Sequence, residues 1–274
     1  MEQAINVQSL AQKRRTYFKH PGSLIVFLLT WLAALLTMGV LVFLIGYILI
    51  KGVPFLTPDL FKLEYNSDNV SMLPALINTL LMTVLALLIA GPLGIFAAIY
   101  MVEYAKKGNK VVGVVRVTAE TLSGIPSIVY GLFGALFFVT FLHLRLSLIS
   151  GALTVAIMVL PTILRTTEEA LIAVPASFRE GSFGLGAGKL RTIFKIVLPS
   201  AVPGILSGVI LATGRVVGET AALLFTAGTI AKVAGLMDSG RTLAVHMYAL
   251  SSEGLYMNQM YATGVILMLI VLLI

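Results

Sequence analysis

The chain has 274 residues, of which 58% are hydrophobic and only 11% charged, and its mean hydropathy is +1.00. A soluble domain carries about 25% charged residues, so a chain this apolar needs lipid as its solvent. There is no cysteine, which excludes disulfides, Cys-ligated zinc and thiol catalysis. The three histidines, His20, His143 and His246, are far apart and have no metal-ligand spacing, so no metal is expected.

In chain order, a basic N-terminal segment (residues 1–23) precedes a transmembrane domain over residues 24–274. Six apolar runs have the length a bilayer requires. The first is Leu24 to Ile50, too long for a signal-peptide core and followed by no small-residue cleavage site. The second is Pro74 to Val102, interrupted by Gly91-Pro92. The third, Thr118 to Phe141, contains Gly124 and Pro126, and the fourth, Leu146 to Leu164, ends near Pro161. The fifth is Ala201 to Ala227 and the sixth Tyr256 to Ile274, an apolar run expected to continue into a polar tail. Internal Gly and Pro are tolerated in spans whose neighbours re-satisfy the backbone, which predicts a packed all-α membrane bundle.

The net charge of +7 is read through its distribution. Lys13, Arg14, Arg15, Lys19, Lys106, Lys107, Lys110, Arg116, Arg179, Lys189, Arg191 and Lys195 fall on one side, and Lys51, Lys62, Arg145, Lys232 and Arg241 on the other. The 12-to-5 bias places the first side and the N-terminus in the cytoplasm of a multi-pass cell-membrane protein. It explains the charge without a nucleic-acid partner.

The loop between spans four and five, about residues 176 to 199, reads as two short amphipathic helices around a glycine-rich turn. The second has Leu190, Ile193, Phe194 and Val197 on one face, and Pro199 and Pro203 mark the entry to span five. On patterning alone it is either a basic interfacial loop or a docking element for a soluble partner. Gly184-Leu185-Gly186-Ala187-Gly188-Lys189 imitates a nucleotide-binding loop. It fails the template, with Phe183 where Gly is needed and Leu190 where Ser or Thr is needed. No ATP site is expected on this chain, and no enzymatic activity.

Span five contains Arg215 and Glu219, one helical turn apart, followed by Thr220. A charge at the bilayer centre costs about 2.5–3.5 kcal/mol and calls for a reason. One reading is a structural ion pair, although Arg-then-Glu is the less favourable order at this spacing. The other is an anion path, because the guanidinium fork matches oxyanion geometry and Glu219 would hold Arg215 until an anion arrives. At the end of span four, Arg165 with Glu168 and Glu169 either snorkels to the cytoplasmic interface or adds a second cation to that path.

The loop resembles the coupling loop of ABC importer permeases, Glu-Ala-Ala, three residues, Gly, nine residues, Ile-x-Leu-Pro. Glu180, Gly186, Ile196, Leu198 and Pro199 stand at that spacing, with Gly181-Ser182 in place of Ala-Ala. Arg-x-x-Gly-Glu-Thr-Ala-x-Leu-Leu in span five, with Leu160 to Leu171, resembles the phosphate-importer permease family of the PstA type. In the related PstC type, Gly-Glu-Thr is typically followed by Met-Ala.

The resemblance implies six transmembrane helices in the type I ABC importer permease fold and alternating-access import of inorganic phosphate. Arg165, Glu168, Arg215, Glu219 and Thr220 would lie along the path. Glu180, Gly181, Ser182, Gly186, Ile196, Leu198 and Pro199 would engage the ATPase. The implied partners are a PstC-like permease, two PstB-like ATPase subunits and an extracytoplasmic PstS-like phosphate-binding protein. That protein would dock on the outer loops Lys51 to Leu73 and Gly228 to Leu255. The resemblance implies no cofactor on this chain and ATP with Mg on the ATPase subunits. The alternatives are another oxyanion or small solute, a secondary transporter or channel using Arg215 and Glu219 alone, and a scaffold for a sensor complex.

Overall fold

The computed structural model describes residues 21–106 and 108–274. The expectations for Lys13, Arg14, Arg15, Lys19, His20 and Lys107 lie outside the described residues. Among those residues every regular element is helical.

The first helix, α1 (Pro21–Gly52), forms one body up to Ile50. It is apolar all round and exposes Phe27, Trp31, Leu35 and Phe43. A helix of that kind is stable only where its whole surface meets lipid or protein.

The second body runs from Lys51 to Ile274. Two single 3₁₀ turns, Val53–Phe55 and Pro58–Phe61, lead to α2 (Leu73–Tyr104). Helices α3 (Lys110–Ser123) and α4 (Ser127–Phe141) follow, then α5 (Leu148–Ala173) and the short α6 (Ala176–Gly184). The rest is α7 (Lys189–Val217), α8 (Ala221–Thr226), α9 (Leu243–Glu253) and α10 (Met257–Leu273).

Helix α5 is the centre of this body, with 67% of its apolar stretch buried against 33% for α2 and 28% for α7. Lipid tails offer helices no hydrophobic drive to associate, so close backbone approach through small residues decides which helices pack. A Cβ on Gly94 of α2 would stand 2.9 Å from Ile163 Cγ2 of α5, and a Cβ on Gly208 of α7 would collide with the Thr166 side chain. Met82, Val155, Met158, Val159, Ile163 and Val216 fill the resulting core.

The structure changes several span limits. The third apolar run is two helices bent by 103° at 124–126. Pro126 has no N–H to continue the turn and disfavours helix at the residue before it. The fourth span does not end at Leu164; α5 continues to Ala173, so Arg165 lies within the helix.

Pro199 and Pro203 do not mark the start of the fifth span, because α7 already begins at Lys189 and runs through both. A wide turn over Ile193–Val197, in which Leu198 N–H bonds Ile193 O, directly precedes Pro199. Wide turns of this kind relieve the clash of a proline ring with the preceding carbonyls. The fifth run then stops at Val217, and Ala221–Thr226 is a separate helix. The expected six spans correspond to four long apolar helices, one bent pair and α10, whose 17 residues are at the short limit for a bilayer.

Candidate functional site

The loop after α5 is two helices about a glycine turn, as its pattern predicts. Helix α6 ends at Gly184, Gly186 adopts φ +80° and α7 begins three residues later. Only glycine takes that conformation without strain. Ser182 Oγ and Thr192 Oγ1 share a buried 2.8 Å hydrogen bond that ties α6 to α7. Glu180 and Gly181 are exposed, Ile196 and Leu198 half-buried and Pro199 exposed.

The apolar face of the second helix divides. Ile193 and Val197 join Leu171, Val174, Ala201 and Ile205 in a buried cluster, whereas Leu190 and Phe194 face outward. Lys189 places its ammonium 4.7 Å from the centre of the Tyr104 ring, a cation–π contact rather than a phosphate cradle.

Sequence reasoning missed what holds α6 in place. Arg179 donates from Nε and Nη2 to Glu103 Oε1 at 3.0 and 2.7 Å. It also donates to the carbonyls of Val174 at 2.8 Å and Leu171 at 2.9 Å. Glu103 belongs to the wide turn Tyr100–Tyr104 that closes α2. One side chain thus fastens α6 to the ends of α2 and α5. In the sequence Arg179 is only a loop charge, and nothing local joins positions 76 residues apart.

Arg215 is in the last turn of α7, half-buried, and not in mid-span. The helix ends at Val217, so Glu219 is not on the same helix one turn on. Glu219 is 8% exposed and its Oε1 accepts from Ala222 N at 2.9 Å, which satisfies an amide at the start of α8. No ion pair joins Arg215 to a carboxylate of the described residues, so the expected Arg215–Glu219 pair does not form. Tyr130, whose hydroxyl donates to Leu122 O at 2.7 Å, is within electrostatic reach of Arg215. Thr220 is half-buried and, with Leu224, Ala244 and Tyr248, lines a cavity of about 510 Å³ between α8 and α9.

Arg165 and Glu168 take part in a different constellation. Glu168, 7% exposed, accepts from Arg116 Nε of α3 at 2.6 Å. Arg165 meets Glu169 Oε1 at 3.2 Å and Glu120 Oε1 at 3.9 Å. These five side chains line a cavity of about 280 Å³ between α3 and α5 that does not include Arg215. The Arg165 side chain, 58% exposed, is ion-paired within this group. It belongs to a charge cluster with two Arg and three Glu, in which the sequence marks Arg116 only as a cytoplasmic-side charge and does not single out Glu120.

The family model described as "Binding-protein-dependent transport system inner membrane component" matches residues 90–274. The chain is 35% identical over 240 residues to the probable ABC transporter permease protein YqgI of Bacillus subtilis, covering 82% of this chain and 81% of that protein. It is 41% identical over 154 residues to the phosphate transport system permease protein PstA 1 of Mycobacterium tuberculosis H37Rv, covering 56% of this chain and only 49% of that protein.

Among solved structures, a bacterial ABC transporter involved in alginate import superimposes with a TM-score of 0.59 at 17% identity, over 96% of this chain and 95% of that one. The inward-facing MetNI methionine ABC transporter gives 0.57 at 20% identity, over 73% and 87%. These two establish the fold alone. The family match over more than half of the residues and the 35% identity across 82% of the chain identify it as a member of the binding-protein-dependent transport system inner membrane components, the multi-pass permease subunits of ABC importers.

Proposed function

We propose that this permease conducts inorganic phosphate into the cell. The observation that carries the reading is the unpaired guanidinium of Arg215 at a helix break, with Glu219 committed to the Ala222 amide and not to Arg215. An arginine with no carboxylate neighbour among the described residues leaves its planar fork of donors for an oxyanion. Thr220 adds a hydroxyl on the adjoining cavity. The likeness to proteins named as phosphate transport permeases supports the substrate.

In this reading Arg165 and Glu168, with Arg116, Glu120 and Glu169, form a cytoplasmic-side charge cluster whose ion pairs exchange as the anion leaves. Helix α6 and the turn through Gly186 engage an ATPase subunit, with Glu180, Gly181 and Ser182 on α6 and Ile196, Leu198 and Pro199 behind it. Closure of two PstB-like ATPases on ATP and Mg moves α6. Its Arg179–Glu103 fastening passes the motion to α2 and α5, and the path opens to alternate sides. A PstC-like permease supplies the other half of the path, and a PstS-like protein delivers phosphate from outside. The N-terminus is cytoplasmic, and this chain itself holds no cofactor.

Radiolabelled phosphate uptake by the reconstituted complex tests the proposal, with sulfate and molybdate as competitors. Saturable, ATP-dependent phosphate uptake that resists both competitors is expected. Uptake without ATP, or preference for another anion, refutes it.

A further inference from the structure

Six buried side-chain polar atoms lack a hydrogen-bond partner among the described residues, and five of them belong to Arg241, Thr242 and His246. They are Nε and Nη2 of Arg241, Oγ1 of Thr242, and both ring nitrogens of His246. The three residues are 4%, 2% and 0% exposed. No carboxylate of the described residues pairs with Arg241. Burying a guanidinium without a counter-charge is strongly unfavourable, and each buried neutral polar group left unpaired adds a desolvation penalty. So many in one place is not a packing accident.

The surroundings are built. Thr242 is the N-cap of α9, and His246 lies in the helix's first turns. Arg241 is fixed through its backbone: its N–H bonds Ile230 O at 3.0 Å, and its carbonyl accepts from Asn78 Nδ2 at 3.1 Å. Leu243 N–H donates to Thr79 Oγ1 at 2.8 Å, which anchors the start of α9 on α2. Tyr65 covers the group, its ring 4.6 Å from Arg241 Cζ and edge-on to His246 with centroids 6.1 Å apart. Tyr65 is itself half-buried, on the irregular segment before α2.

We infer that Arg241, Thr242 and His246 form a site for a small inorganic anion at the N-terminus of α9, covered by Tyr65. A guanidinium, a hydroxyl, an imidazole and the positive end of a helix dipole all favour negative charge. A cation would meet Arg241 with no carboxylate to offset it. The occupant is either the transported phosphate at an outer subsite or a resident halide, and both use the same donors. The inference does not depend on the role of Arg215, because the site shares no residue with that region.

The thermal midpoint of the complete importer, titrated with phosphate and separately with chloride at constant ionic strength in gluconate, tests it. Binding to the folded state alone raises the midpoint saturably. The rise is expected to persist in Arg215→Gln, which removes the other proposed anion contact, and to be lost when Arg241→Gln is added to that background. Arg241→Lys keeps the charge but not the fork, and with His246→Gln serves if Arg241→Gln does not assemble; each should shift the titration about tenfold or more. A phosphate-selective rise identifies a cargo subsite and a chloride-selective rise a structural one. Identical titrations in wild type and the Arg241 and His246 variants, or no saturable rise with either anion, overturn the site and leave those groups to bridging water.

Discussion

Replacing Glu103 with Gln tests how α6 is held. The substitution keeps the shape of the side chain and removes its charge. The Glu103 carboxylate is 9% exposed and the Arg179 side chain 20%, so the pair is largely desolvated. Breaking a buried pair costs about 3–5 kcal/mol. The lower end applies here, because Arg179 retains some solvent and its bonds to Leu171 O and Val174 O.

A local loss of about 3 kcal/mol corresponds to roughly a hundredfold larger open population of α6, at tenfold per 1.4 kcal/mol. Amide hydrogen exchange read by mass spectrometry over residues 176–184 should therefore accelerate about a hundredfold, while α10 is unchanged. Arg179→Met should do more, because it strands the carboxylate and both carbonyls. The double variant should cost less than the sum of the two. The same variants should hydrolyse ATP in the assembled complex with reduced transport per ATP. Unchanged exchange in α6, or strict additivity, refutes the claim that this pair fastens the helix.

Three further outcomes are expected. Arg215→Gln should abolish phosphate uptake without loss of complex assembly, both read on the same preparation; normal uptake would reduce Arg215 to a structural role. Gly208→Ala should cost about 1–3 kcal/mol by overpacking, because the new Cβ meets the Thr166 side chain; a lower thermal midpoint, partly restored by Thr166→Ala, checks it. The pKa of His246 is pushed down to about 3, first by burial and then by the neighbouring Arg241 charge. Its neutral form is the one that fits the fold, so its contribution is fully present above pH 6.5 and is lost as pH falls towards 3. The full loss is on the order of 5 kcal/mol at 1.36 kcal/mol per pH unit. His246→Gln should flatten the acid limb of a stability–pH curve measured without added anion.

Much of the molecule is legible in the sequence because the signal is local. Composition alone demands lipid. Continuous apolar runs locate the helices, and the spacing from Glu180 to Pro199 marks the loop that becomes α6 and the start of α7. The turn at Gly186 follows from residue chemistry, since only glycine takes a left-handed conformation without strain.

What the sequence could not decide depends on which helices touch. Apolar periodicity continues across Gly218, so Arg215 and Glu219 read as one helical pair. The structure ends α7 at Val217 and gives the Glu219 carboxylate to an amide of α8, because a helix start needs an acceptor for its free N–H groups. Arg165, Glu168 and Arg116 come together only because α3 packs on α5. The fastening of Arg179 by Glu103 and the burial of Arg241 with His246 join residues far apart in the chain or hide them from solvent. Residue type set the available charges. Close helix approach at positions such as Gly94 and Gly208 set their partners, because in lipid it is small-residue contact, not hydrophobicity, that selects neighbours.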